Sequence, residues 1–243
     1  LPLITSSQFL TRRNYSWESY SIPANIYGIL HHLFGEELFL KCYREYIHRW
    51  AKKSPSPYDF FFTFENVSGF DLEWLWKPWF FEFGSVDVAI ESFENGKLTI
   101  ANVGVKPFPL FFEVKYKNGK ISTFSEKVDV WEKGNKQIEI AIENSDSVKQ
   151  ITVNTNYTDA DKLNNFYPEV RSFYKESVDY KNILGSYQTE QFPEPVSVLN
   201  KDGLFYYSIP IYGIKRLIYP IDKNHFISID GSMKLEFLSD ENG

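Results

Sequence analysis

The spacing of apolar residues changes once along this chain, near Gly84, and that change limits what the chain can fold into. Upstream, apolar residues recur every three and four positions, the period of an amphipathic helix. Downstream they alternate, the period of a half-buried strand. A chain patterned this way folds as a helical module followed by β structure. The fold class expected is therefore α+β and multidomain.

The upstream part resolves into helices with recognisable ends. Residues 1–19 read as irregular. Residues 20–34 place Ile26, Ile29, Leu30 and Leu33 on one face, and Gly35 ends that helix. Glu36 and Glu37 suit the first turn of a second helix, where the macrodipole favours anions. Leu38, Phe39, Cys42, Tyr43, Tyr46, Ile47 and Trp50 form its predicted buried stripe. Ser56-Pro57 reads as an N-cap with proline at the first helical position, opening a third helix that Ser68-Gly69 closes. Asp71 can cap a fourth helix, which Pro78 should kink or end near Trp76.

Past Gly84, strands are expected over 86–90, 98–103, 107–116, 121–130, 137–142 and 148–154. Asn95-Gly96 and Asn118-Gly119 mark hairpins. That count and spacing predict a β-sandwich of immunoglobulin or fibronectin type. The polar stretch 156–168 reads as a linker. A second β region follows, with strands over 196–199, 204–210, 215–219, 225–229 and 234–238. The predicted division is 1–84 helical, 85–160 sandwich and 170–243 small all-β domain, the last truncated at its C-terminus. The chain opens Leu1-Pro2-Leu3 without methionine and closes on a turn with no strand after it. Both ends read as cut from a longer polypeptide.

Composition narrows the function classes. Aromatic residues make up 18% of the chain, which suits strands and flat packed faces. The net charge of −6 and the lack of a basic patch argue against nucleic acid as a partner. No apolar run approaches the roughly 18–20 residues of a membrane span. The single cysteine, Cys42, permits no internal disulfide. Nothing in the residues fixes oligomeric state.

Candidate chemistry is sparse. The histidines are His31, His32, His48 and His225. No H-E-x-x-H occurs, the pattern that sets two zinc ligands on one helical face. All four read as surface or boundary residues, and His225 stands alone in its strand without a visible partner. Cys42 lies on an apolar stripe and reads as a buried structural thiol. Asp159 and Asp161 near Asn156 lack the glycine and distal glutamate of a calcium loop and read as a turn. Glu36, Glu37 and Asp71 are explained by helix ends. The run Trp74, Trp76, Trp79, Phe80, Phe81 and Phe83 could stack on sugars, but packing of a helix end on the sandwich accounts for it.

Two stretches resemble the aminopeptidase N family of gluzincin zinc metallopeptidases. YSIPANIYGILHHLFGEELFLKCYREYI, from Tyr20, resembles the family's segment of a tyrosine followed by an apolar helix ending Gly-Glu-Glu-x-Phe. VSGFDLEWLWKPWFFEFG, ending at Gly84, resembles its Ser-Gly-x-Asp-Leu-x-Trp segment, which closes the catalytic domain. The resemblance implies that the helical module is the end of a thermolysin-like catalytic domain acting on peptide substrates. It implies that Tyr20 hydrogen-bonds the oxyanion of the tetrahedral intermediate. It implies zinc in the full-length parent, held by residues upstream of Leu1, with none bound catalytically by this chain. The sequence departs from the family where Lys-Gly is replaced by Ile22-Pro23, and where Ser85-Val86 replaces the usual proline after Gly84. Those departures keep an alternative open: a non-catalytic scaffold, or a protein- or carbohydrate-binding module, of a degenerate peptidase. The last segment resembles a small β domain appended to some bacterial hydrolases and β-lactamase-like proteins. By that analogy it implies a bacterial cell-envelope or periplasmic setting.

Overall fold

The computed structural model of the chain describes residues 1–153, 159–175 and 178–238. The helical part comprises α1 (Arg12–Ser16), α2 (Ile22–Phe34), α3 (Glu36–Trp50), α4 (Pro57–Ser68) and α5 (Glu73–Trp76). The chain is helical from Arg12 rather than from residue 20, because Thr11 opens α1. Its hydroxyl accepts the Asn14 N–H at 3.3 Å and its carbonyl accepts the Tyr15 N–H at 2.8 Å. A π-helical turn, Trp17–Ser21, then runs straight into α2. A second, Lys77–Phe81, continues α5. Pro78 thus ends the α-helix at Trp76, as its missing N–H requires.

The helix ends follow the expected chemistry. Gly35 closes α2 at φ 76°, a conformation that favours glycine. Glu36 and Glu37 open α3. Asp59 caps α4, its carboxylate accepting the Ser56 N–H at 2.7 Å and hydroxyl at 2.8 Å. Asp71 accepts the Glu73 N–H at 3.1 Å. The stripe predicted on α3 is only partly covered: Cys42 is buried, whereas Tyr43 and Ile47 are exposed.

Seven strands follow: β1 (Val88–Glu94), β2 (Lys97–Asn102), β3 (Leu110–Tyr116), β4 (Ile121–Glu126), β5 (Gln137–Ala141), β6 (Val148–Val153) and β7 (Phe166–Tyr167). They make two antiparallel sheets, β1-β2-β5 and β4-β3-β6-β7. β7 comes from the stretch read as a linker: two aromatic residues pair Ile151↔Tyr167 and Thr152↔Phe166. The strand expected over 121–130 stops at Glu126, and a 3₁₀ stretch, Val128–Gly134, buries Val128 and Trp131 instead.

The last part is a six-stranded antiparallel meander of β8 (Gly185–Tyr187), β9 (Val196–Lys201), β10 (Leu204–Ile209), β11 (Ile214–Pro220), β12 (His225–Ser228) and β13 (Lys234–Glu236). The β9–β10 hairpin turns on Asp202 and Gly203, at φ 54° and 79°, the left-handed pair that a two-residue hairpin demands. Short 3₁₀ segments, Val170–Phe173 and Tyr180–Ile183, precede the first of these strands.

One apolar core runs through the helices and both sheets of the middle part, from Ile26 and Leu30 through Trp79 to Leu98, Phe112 and Ile151. The meander has its own, around Val198, Phe205, Ile218 and Phe226. Phe166, Val170, Leu204, Leu217 and Ile229 form a small seam between them.

Candidate functional site

The two stretches that carry the resemblance are separate in sequence, and folding brings them to one cavity of about 360 Å³. The first contributes Pro23, Ile26 and Tyr27, with Glu18 and Ser19 just before it; the second contributes Phe80. Tyr46 and Phe60 complete the aromatic wall. The N-terminal strap, including Pro2, Leu3 and Thr5, covers one side. It is held there because the N–H groups of Leu3 and Ile4 donate to the carbonyls of Trp79 and Phe80, at 3.4 and 3.1 Å. Those carbonyls belong to the second π-turn, where a helix end leaves acceptors unused.

Tyr20 does not line this cavity. It lies in the first π-turn with 67% of its surface exposed, and no hydrogen bond to its hydroxyl is made among the described residues. A π-turn at this point is consistent with Pro23, which has no N–H to give an ordinary helix.

Glu18 is the one acidic group at the cavity. Its Oε1 accepts from the α-ammonium of Leu1 at 3.2 Å, and its Oε2 is buried without a hydrogen-bond partner. Lys106 is nearby and almost fully buried. Its Nζ lies 5.3 Å from the centre of the Trp79 ring and donates to the Leu1 carbonyl at 3.1 Å. Burial pushes the Lys106 pKa down, and the charge of Glu18 partly offsets this.

The remaining candidates stand apart from the cavity. Cys42 is buried, and burial pushes its thiol up, away from a reactive thiolate. His31 and His48 are exposed, and His32 is half-buried against Phe111 with its Nδ1 unpartnered. Burial and the charge of Lys127 lower the His32 pKa. His225 is not alone, contrary to expectation. Its Nδ1 lies 2.8 Å from Asp222 Oδ1 and its Nε2 lies 3.4 Å from Glu236 Oε1, across the β12–β13 hairpin. The hydrogen bond to Asp222 raises the histidine and lowers the carboxyl. Asp222, three positions upstream, was the available signal. Glu236 becomes a neighbour only through strand register.

Asp159 is half-buried and accepts the N–H groups of Val88 and Asp161, both at 3.2 Å. Burial, with Asp87 nearby, pushes it up to about 6. Asp161 caps a 3₁₀ turn by accepting the Leu163 N–H at 2.9 Å. Asn156 lies outside the described residues. The tryptophans of the aromatic run are structural. Trp79 is 1% exposed and donates its indole N–H to the Pro107 carbonyl at 2.9 Å, while Trp76 donates to Glu65 at 3.0 Å. In the last β region Tyr207 is buried, Tyr206 lies under the Lys215 ammonium, and Tyr212 is exposed.

Among the described residues, no group of three or more His, Cys, Asp or Glu is placed to hold a metal ion. No helix of the described residues is long and apolar enough to cross a membrane.

The geometry defines an α+β chain, a helical region followed by antiparallel sheets, with an aromatic cavity in the helical part. No family model and no curated protein sequence matches it. Thirty-nine chains of solved structures do. One is the crystal structure of Legionella pneumophila aminopeptidase A in complex with aspartic acid, 19% identical with a TM-score of 0.40. The match covers 55% of this chain, which spans only 16% of the length of that one.

Proposed function

We propose that this chain is the carboxyl-terminal portion of an aminopeptidase N-like zinc peptidase that hydrolyses peptide bonds. Residues 1–84 would close a thermolysin-like catalytic domain. Residues 85–160 would be its immunoglobulin- or fibronectin-like sandwich, and residues 170–243 an appended β domain. The zinc ligands and the general base would belong to residues outside this chain, so no step through the metal is assigned to it.

The observation that carries this reading, beside the two sequence stretches, is the distribution of exposed aromatic rings. In the helical part these are Phe9, Tyr15, Trp17, Tyr20, Tyr27, Tyr43, Tyr58, Phe62, Phe70, Phe81 and Phe83. In the rest of the described chain they are Phe124 and Tyr212. A helical part that leaves this many rings in water has the composition of a domain interior that another segment would cover. Tyr20 lies among them with its hydroxyl unspent, as a donor to a substrate oxyanion must be.

The test is Tyr20→Phe in the polypeptide extended upstream to include the metal ligands. Loss of one oxyanion donor lowers kcat by roughly 100-fold or more, with zinc content unchanged. Equal turnover would remove Tyr20 from the mechanism. An upstream sequence without a zinc-ligand set would leave the second reading, a non-catalytic scaffold. The observation favouring that reading is Pro23, which replaces part of the family's Lys-Gly and is built into the cavity wall.

A further inference from the structure

The cavity between the two π-turns has a chemistry of its own, which the peptidase reading does not use. Its walls are rings. Tyr27 and Tyr46 meet Phe60 edge to face, at centroid distances of 5.8 and 5.2 Å and interplanar angles of 80° and 85°. Both tyrosines thus stand nearly perpendicular to Phe60, and all three line the cavity. Phe80 closes a further side, and Ile26 the floor. No lysine or arginine lines the cavity. The hydroxyl of Thr5 is spent on the Pro2 carbonyl at 2.6 Å. The charged group present is Glu18, whose side chain is 12% exposed and whose Oε2 has no partner.

We propose that this cavity is a binding site for an organic ammonium, the head group of an alkylammonium or trimethylalkylammonium compound or side chain. The rings supply negative quadrupole faces, which attract a cation within about 6 Å of a ring centroid. Glu18 supplies the counter-charge, without which a buried cation is costly. An anion would meet the Glu18 carboxylate and no lysine or arginine in the lining. A neutral apolar ligand would fill the space but leave Oε2 desolvated and unpaired, an unfavourable state.

The experiment is an NMR titration of the full chain with butyltrimethylammonium and, separately, with its neutral isostere in which carbon replaces nitrogen. The expected result is saturable shifts at Tyr27, Tyr46 and Phe60, with the cation binding about tenfold or more tighter than the isostere. Glu18→Gln should weaken the cation by about tenfold and leave the isostere unchanged or slightly tighter. Tyr46→Leu, at a half-buried position, should weaken the cation several-fold. Equal affinity for cation and isostere would reduce the cavity to an apolar pocket and overturn the proposal. So would an unchanged cation affinity in Glu18→Gln, saturable shifts confined to other residues, or no saturable shift at all. The cation–isostere comparison uses the unaltered chain, so it decides the matter even where a variant fails to fold.

Discussion

The helical part and the first two sheets differ in every local respect, yet they share a core. The middle sheets and the meander are both antiparallel β, yet they do not. The first junction is made by large side chains that fulfil polar and apolar needs together. Trp79, at the end of the helices, donates to the Pro107 carbonyl, and Trp131 donates to the neighbouring Phe108 carbonyl, both at 2.9 Å. Lys127 reaches back to accept its place at the end of α2, donating to the Leu33 carbonyl at 3.0 Å, where the macrodipole favours a cation. Gly84, where the period changes, must be glycine for a packing reason. A Cβ there would lie 2.5 Å from the Cβ of Val105. The second junction has five buried residues and a few polar contacts, such as Arg171 donating to the Asp202 carbonyl at 2.8 Å. A change of secondary structure is thus not a boundary of cooperativity. Shared buried area is what couples segments in unfolding.

This comparison breaks most readily at Trp79. Trp79→Ala removes a buried indole from the shared core and should cost about 3–5 kcal/mol. Hydrogen exchange at the amides of α2 and of β3 along a denaturant series should show helices and sheets lost at one lowered midpoint. Loss of protection in α2 at a lower denaturant concentration than in β3 would show that the core is shared in space only. The matching change in the meander is Phe226→Ala. That ring is fully buried and meets Tyr180 at 5.8 Å and Phe237 at 5.4 Å. A cost of about 3 kcal/mol should fall on the meander alone. Hydrogen exchange should accelerate in β9 to β12, while the amides of α2 and β3 keep their protection. Acceleration in all of them would join the two regions into one unit.

What the sequence disclosed followed the same line. Features set by a few neighbouring residues were legible: the period change at Gly84, the Ser56-Pro57 start of α4, the break at Pro78 and the Asn95-Gly96 hairpin. Features that depend on distant partners were not. β7 is two residues long, and only pairing with β6 makes it a strand. Residues 127–134 look like a continued strand, but Trp131 turns inward to reach the Phe108 carbonyl. The start of α1 was missed although Thr11 is an ordinary cap, because no apolar period follows it. Tyr20, named from its sequence neighbours, does not line the cavity. The cavity itself was not legible, since Glu18, Tyr46 and Phe80 converge from three separated segments. Nor was Glu236, which stands beside His225 through strand register alone.

A smaller effect separates the two regions by pH. Asp159 holds the Val88 N–H at the edge of β1, and burial raises it from 3.8 to about 6. Between about pH 4 and 6 the folded chain therefore binds more protons than the unfolded chain. Stability falls as pH rises through that interval and stays lower above it. Discounted for partial exposure, the loss is about 1 kcal/mol. Asp159→Asn should flatten the pH dependence of the helix-and-sheet transition in this interval. An unchanged slope would assign it to other groups.

The smallest expected effect lies in the meander and follows a different window. Hydrogen bonding to Asp222, with Glu236 across the hairpin, raises the His225 pKa above 6.5. The stabilisation is fully present below that value and fades as pH rises through the raised one. All three groups lie in water, so solvent and salt screen the attraction. The response should therefore be confined to the β12–β13 hairpin. The sharper measurement is local: amide exchange at Phe226, Ile227 and Leu235, corrected for its intrinsic pH dependence, should lose protection as pH rises above 6.5. His225→Gln should remove the step. Both regions then weaken towards alkaline pH, the helices and middle sheets below pH 6 and the meander hairpin above it. A single pH series on one sample can therefore tell a joined molecule from a divided one. Coincident steps in α2 and β12 would mean the seam at Val170 and Leu217 transmits more than its size implies.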